Sequence, residues 1–209
     1  MSALPHELHA IVAIAHSLFA RGYSFGTAGN ISIRIGDRVY ATPTGSSLGT
    51  LTEEDLAMCD LEGRILGLNK PTKELLFHLA AYRARPGSSA VVHLHSTYAT
   101  ALACMRGLDE RDALPPLTAY FAMRVPSLPC VRYLPPGDEA LGTEVERLAR
   151  ITPAMLMRNH GLIAIGTTLS EAAALAEEIE ETARLFFLLG ERAQPLDEAQ
   201  VAELRRRFS

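Results

Sequence analysis

The chain has 209 residues, 48% of them hydrophobic and 21% charged, with a formal net charge of −4. That balance belongs to a globular chain rather than a disordered one, and the length suits one domain with a sizeable core or two small domains sharing one. A mildly acidic chain gives no electrostatic reason to expect a nucleic-acid partner, whereas a small anionic substrate needs only a local nest of donors. Three scattered cysteines, Cys59, Cys104 and Cys130, argue against a disulfide framework or a cysteine zinc site and suit a reducing cytosol. The opening MSALPHELHA lacks the basic start and unbroken apolar run of a secretory signal, and no run of about 18 apolar residues argues for a membrane span. The expectation is a cytoplasmic protein with no membrane partner.

Apolar residues recur at helical spacing through residues 7–21, and Gly22 is placed to stop that helix. The turn-rich 24-SFGTAGN-30 follows, then two strands, at 31–35 and 38–42. A second turn-rich stretch, 42-TPTGSSLGT-50, interrupts the pattern. Residues 72–85 read as a helix N-capped by Thr72 and ended by Pro86. The segment 90-AVVHLH-95 is the best strand in the chain, with a helix predicted over 97–106. Residues 115–136 are proline-rich and read as loop with short extended pieces. A helix over 138–150 precedes two short strands, 154–158 and 162–166, on either side of the turn 159-NHG-161. The longest helix runs from about 170 to 190 behind a capping box from Thr168 to Glu171, and a short one ends in three arginines, 205–207. No repeat or linker divides the chain, so one mixed α/β domain over 1–209 is the simplest reading.

Strand residues two positions apart point to the same face, with a rise of about 6.5–7 Å between them. His93 and His95 can therefore reach one metal from the same side; the bland alternative is a pair facing solvent or a polar pocket. His160 lies before a glycine in a turn, which by itself is turn chemistry as readily as ligation. Added to the pair, it gives the three-imidazole set of catalytic zinc sites, which leaves room for water or substrate. Glu74 sits where a helix begins and the macrodipole favours an anion; it is either an ordinary first-turn glutamate or a carboxylate held near the metal. Thr72, Lys73 and the free N–H groups of that helix end could grip an anionic substrate. The loops 27-TAGN-30 and 42-TPTGS-46 combine glycine with hydroxyl and amide donors suited to phosphate, though neither is a P-loop or dinucleotide fingerprint. His6, His9, His16 and His78 are read as structural or exposed, and the C-terminal arginines as solvating a helix end.

Taken in order, TAGNIS, TPTGSSLG, KPTKE, AVVHLHS and RNHGLI resemble the motifs of the class II aldolase and adducin family, of the zinc-dependent fuculose-phosphate aldolase type, over residues 7–190. Within it, KPTKE, TPTGSSLG, LPPLTAYFAMRV and PPGD most resemble the 3-oxo-tetronate 4-phosphate decarboxylases. The resemblance implies a three-layer α/β/α fold with a largely antiparallel central sheet, and a fourfold homotetramer with sites between subunits. It implies one Zn2+, or another divalent metal, on His93, His95, His160 and Glu74, with Glu74 also carrying the proton. It implies a phosphate and carboxylate pocket of Asn30, Thr44, Gly45, Thr72 and Lys73, with Gly29 allowing close approach, and a catalytic tyrosine at Tyr120. The expected reaction is decarboxylation of a small phosphorylated sugar acid to dihydroxyacetone phosphate and CO2 through a zinc-stabilised enediolate. Lys73, where the family's aldolases usually carry a small hydroxyl residue, suits a substrate with an added carboxylate. The rivals are a sugar-phosphate aldolase or 4-epimerase of the same family, and an adducin-like binding module without catalysis.

Overall fold

The computed structural model describes residues 6–208. Helix α1 (His6–Ala20) closes on the predicted glycine: Gly22 takes φ +79°, its N–H reaches Phe19 O, and Tyr23 N–H reaches back to Leu18 O. This is a Schellman stop, which needs a left-handed residue at that position. Seven strands are found among the described residues: β1 (Asn30–Ile35), β2 (Arg38–Ala41), β3 (Ala57–Asp60), β4 (Ala90–Leu94), β5 (Cys130–Val131), β6 (Ala154–Met157) and β7 (Gly161–Gly166). They form one sheet in the order β3-β2-β1-β4-β7-β6-β5, antiparallel at every pairing except the parallel β5–β6 edge.

Strand alternation divides the interior into two cores. Ile31, Ile33, Val92, Leu94, Leu162 and Ala164 pack on one face against α1, α3 (Thr97–Ala103), α4 (Ala119–Arg124) and α6 (Leu169–Leu189). Val39, Val91, Ile163 and Ile165 pack on the other against α2 (Leu75–Ala84) and α5 (Glu139–Ala149). A sheet buried on both faces explains why β4 and β7 read as unbroken apolar runs rather than as alternating ones. The result is the expected three-layer α/β/α arrangement. The helix starts follow the sequence signals at Thr168, whose hydroxyl accepts from Glu171 N, and at Asp138, which accepts from Ala140 N.

Four details differ from the sequence reading. Helix α2 starts at Leu75 rather than at 72, because Thr72 N–H is drawn into a hydrogen bond with Thr42 O and Pro43 bridges Pro71. Strand β3, only four residues long, and helix α4, inside the proline-rich section, carry too few residues to show a period. Helix α3 ends at Ala103 rather than 106 and starts without a side-chain cap from Ser96; buried Glu180 of α6 instead accepts from Tyr98 N and Ala99 N at 2.8 and 2.7 Å. A carboxylate there answers two of the orphan donors of a helix start. Finally, Arg205 of α7 (Glu198–Phe208) does more than solvate its own helix end: it donates to Ala122 O, Val125 O and Pro126 O, the free carbonyls that close α4.

Gly161 opens β7 where the chain passes β4, and a Cβ there would run into the Leu94 carbonyl oxygen. Gly161→Ala is therefore expected to cost about 1–3 kcal/mol in urea denaturation. Gly87→Ala, where a Cβ meets open space, is expected to stay within about 0.5 kcal/mol of the wild type.

Candidate metal centre

Register places the site. Asn30 of β1 lies opposite His93 of β4, which on its other side lies opposite Ile163 of β7. Side-chain alternation turns His93 toward α2, where its ring meets the edge of Phe77 at 5.3 Å between centroids. His95 follows just past the end of β4 and keeps the same direction, so the two Nε2 atoms come within 2.8 Å. His160 arrives from the turn between β6 and β7. Asn159 makes that turn with φ +56°, the only positive φ outside glycine among the described residues and one that asparagine tolerates.

His93 is fully buried, and its Nδ1 lies 2.8 Å from Leu162 O. A carbonyl only accepts, so Nδ1 carries the proton and Nε2 is left with a lone pair aimed at its neighbours. That Nε2 lies 3.3 Å from Glu74 Oε2, and His160 Nε2 lies 2.9 Å from Glu74 Oε1. The three imidazoles stand edge to face, with centroids 4.7–5.0 Å apart.

Glu74 occupies the N-cap position of α2, but its side chain makes no cap bond. The Thr72 hydroxyl instead accepts from Glu74 N–H at 3.2 Å, which frees the carboxylate to turn inward. Burial alone would push the Glu74 carboxyl up, but hydrogen bonds from His160 and from the Asn30 amide, with the His93 ring alongside, hold it well below the usual range. It is an anion inside the protein, surrounded by donors.

One donor atom from each of Glu74, His93, His95 and His160 lies within 4.8 Å of all the others. Tetrahedral zinc with bonds of 2.0–2.1 Å would set its ligand atoms about 3.4 Å apart. The observed contacts bracket that spacing. Two imidazole nitrogens at 2.8 Å, with the His93 proton on the far side of its ring, form a pair that a shared cation would satisfy. The arrangement can hold a divalent metal and present it, at the ends of the central strands, to a chelating substrate.

The remaining expected residues lie unevenly around this cluster. Thr44 and Gly45 are exposed in the loop tied to 70–72 by the Thr44 N–H to Lys70 O bond, and Lys73 is exposed beside Glu74. Thr72 is buried. Gly29 takes φ +80°, and a Cβ there would press on the His93 carbonyl oxygen at 2.9 Å. The close approach it permits in this structure is thus to β4 itself. Both ends of the Asn30 side chain are engaged inside the protein, one with Glu74 and one with His78. Tyr120 stands outside the cluster, 61% exposed on α4, with Arg124 against its ring. Of the histidines read as structural, His6 is exposed, His9 meets Glu53 and His16 meets Leu51 O. His78 is buried and bonded to Ser32 as well as to Asn30. The sequence did carry a signal for it: it lies four residues after Glu74 on α2, facing the strand face that bears Asn30 and Ser32.

Comparison with known proteins identifies the family and the fold. Residues 9–187 match the family model described as the class II aldolase and adducin N-terminal domain. A Haemophilus influenzae protein named 3-oxo-tetronate 4-phosphate decarboxylase is 45% identical over 94% of this chain and 95% of its own length. The crystal structure of YgbL from Escherichia coli superposes with a TM-score of 0.93 at 44% identity, covering 95% of this chain and 97% of that one. An L-fuculose 1-phosphate aldolase structure superposes with a TM-score of 0.88 at 26% identity, covering 99% and 97%.

Two outcomes follow for the purified protein. His93→Ala, which removes the innermost imidazole, is expected to lose the bound metal in bulk metal analysis while still folding; a metal content equal to wild type would refute the cluster as the metal site. In the metal-free protein, His78 is held down to about 3, chiefly by burial and then by His93, against 6.5 when free. A histidine neutral in the fold and charged when unfolded stabilises fully above about pH 6.5 and loses that contribution as pH falls toward 3. The urea midpoint should therefore decline over that window, His78 contributing up to about 1.4 kcal/mol per pH unit.

Proposed function

The chain belongs to the class II aldolase and adducin family, and we propose that it is a metal-dependent lyase that decarboxylates a 3-oxo-tetronate 4-phosphate to dihydroxyacetone phosphate and CO2. The convergence of Glu74, His93, His95 and His160 carries this reading, since it is a ligand set with no structural zinc knuckle around it. Relatives of nearly the same length that bear the decarboxylase name support the substrate. Zinc is the proposed ion, because three neutral imidazoles and a carboxylate are its usual catalytic donors. When bound, it supplies a Lewis acid for the charge left across C2 and C3 as the C1–C2 bond breaks and CO2 departs.

The protein's own groups do the rest. His93 is fixed in one tautomer by Leu162 O, so its Nε2 is always presented as a donor of electrons. Glu74 is the proposed proton carrier: a buried anion placed between His160 and His93, it takes up the proton of the substrate's C2 hydroxyl and then delivers it to the former C2, while the C2 oxygen regains a proton from water. Thr44, Gly45 and the exposed Lys73 form the proposed anion pocket at the start of α2, with Thr72 holding the Glu74 backbone. Lys73 would meet the substrate's carboxylate, the feature that separates this acid from a neutral sugar phosphate. For Asn30 and Gly29 we propose a role one step back, Asn30 on the Glu74 carboxylate and Gly29 against the His93 backbone.

We extend the proposal to a single-domain subunit in a cytoplasmic homotetramer. Leu185, Phe187, Leu188 and Leu189 leave an apolar stretch exposed at the end of α6, which suits burial against another subunit. Exposed Tyr120 would then serve as a catalytic tyrosine at a site between subunits. The cysteines are free, and no helix among the described residues is long and apolar enough to cross a membrane.

The deciding experiment is incubation of the zinc-loaded protein with a synthesised 3-oxo-tetronate 4-phosphate, following CO2. Release of an aldehyde from sugar phosphates with no CO2 from the acid would establish the aldolase instead; turnover of neither would leave a binding module. Glu74→Gln is expected to lower CO2 release by roughly 10²–10⁴-fold with the fold intact, and wild-type turnover in that variant would remove Glu74 from proton transfer.

A further inference from the structure

A line of polar side chains runs through the interior behind the metal cluster. Tyr82 Oη lies 2.8 Å from Ser32 Oγ, and Ser32 Oγ lies 2.8 Å from His78 Nδ1. His78 Nε2 lies 2.6 Å from Asn30 Oδ1, and Asn30 Nδ2 lies 2.7 Å from Glu74 Oε2. Ser32, His78 and Tyr82 are fully buried and Asn30 nearly so. None of them is exposed to a ligand, so none is a catalytic residue.

The chemistry of the groups leaves one direction for every proton in the line. Glu74 is ionised and only accepts, so the Asn30 NH2 must face it, which turns Oδ1 toward His78. Oδ1 only accepts, so His78 Nε2 must carry a proton. Burial, and after it the nearby His93, hold His78 neutral against the opposing pull of Glu74. Its Nδ1 is then bare and accepts from the Ser32 hydroxyl, which in turn accepts from Tyr82. A histidine kept merely to fill the core would need two partners of any polarity. Here the polarity matters: with the other tautomer, Nε2 and Oδ1 would be two acceptors at 2.6 Å, and the amide would turn its oxygen to the carboxylate.

We propose that His78 is a positioning residue for Glu74, acting through Asn30. It locks the amide so that the NH2 group grips Oε2 and leaves Oε1 free toward His160 and the cation. Ser32 and Tyr82 set the tautomer from behind. The inference rests on the reading of Glu74 as metal ligand and proton carrier, and it concerns what aims that carboxylate rather than which substrate it serves.

Two measurements test it. In the wild-type protein, nitrogen-15 shifts of His78 are expected to show the neutral Nε2–H tautomer; the Nδ1–H tautomer would overturn the proposal, whatever the variants do. Zn2+ affinity by chelator competition is expected to weaken about 10–100-fold in His78→Leu, the range for loss of an outer partner of a metal ligand. His78→Gln, which can still donate to Asn30, should recover most of that loss, while urea denaturation of the metal-free variants reports folding separately. A folded His78→Leu with wild-type Zn2+ affinity would overturn the proposal. Neither measurement uses the sugar acid, so a failure of the decarboxylase reading would appear as absent CO2 with both results unchanged.

Discussion

An ionised carboxylate taken out of water is the constraint around which this molecule is arranged. Glu74 loses most of its hydration at the mouth of α2, and removing a charge from water costs far more than an unpaired polar group does. The fold answers with partners from three separate elements: the Asn30 amide at the start of β1, the His93 ring near the end of β4, and the His160 ring from the turn before β7. Those elements are up to 130 residues apart in the sequence on the order of the domain's length, and only a sheet in the order β1-β4-β7 sets them side by side. The central three strands are therefore as much a frame for one anion as a hydrophobic core.

The division of the sheet into two faces serves the same end. The α1, α3, α4 and α6 side is apolar along β1, β4 and β7, and supplies packing. The α2 side carries the polar exceptions, Asn30, Ser32, His78 and His93, each buried and each with a partner. Buried polar groups are tolerated where their bonding is complete, and a complete network also fixes one arrangement among several that apolar packing alone would allow.

Much of this could be read before any coordinates. The strands at 31–35, 90–95 and 162–166 and the helices at 7–21 and 170–190 announced themselves through period, caps and Gly22. The four clustered residues were legible because strand geometry fixes the direction of His93 and His95, while His160 and Glu74 stood in segments with their own turn and helix-start signals. Less legible were features set by partners distant in the chain. The late start of α2 depends on a bond between Thr72 and Thr42, and the cap of α3 comes from Glu180, more than 80 residues onward. The setting of His78 was only half legible for the same reason: its spacing from Glu74 was visible, but a histidine on an amphipathic helix looks structural until β1 is laid across it.

The pairing of β4 with β7 has one more consequence. His93 owes its tautomer to the carbonyl of Leu162, so the chemical state of a proposed ligand is written by strand alignment. A slip of β4 by one place would turn both imidazoles into the apolar face and bring Val92 and Leu94 to α2. A chain so misassembled could hold no ion in this cluster. Were the proposed cation bound here, its uptake would proofread the fold: only molecules whose sheet has closed in the right alignment could be charged, and the others would be left as blanks.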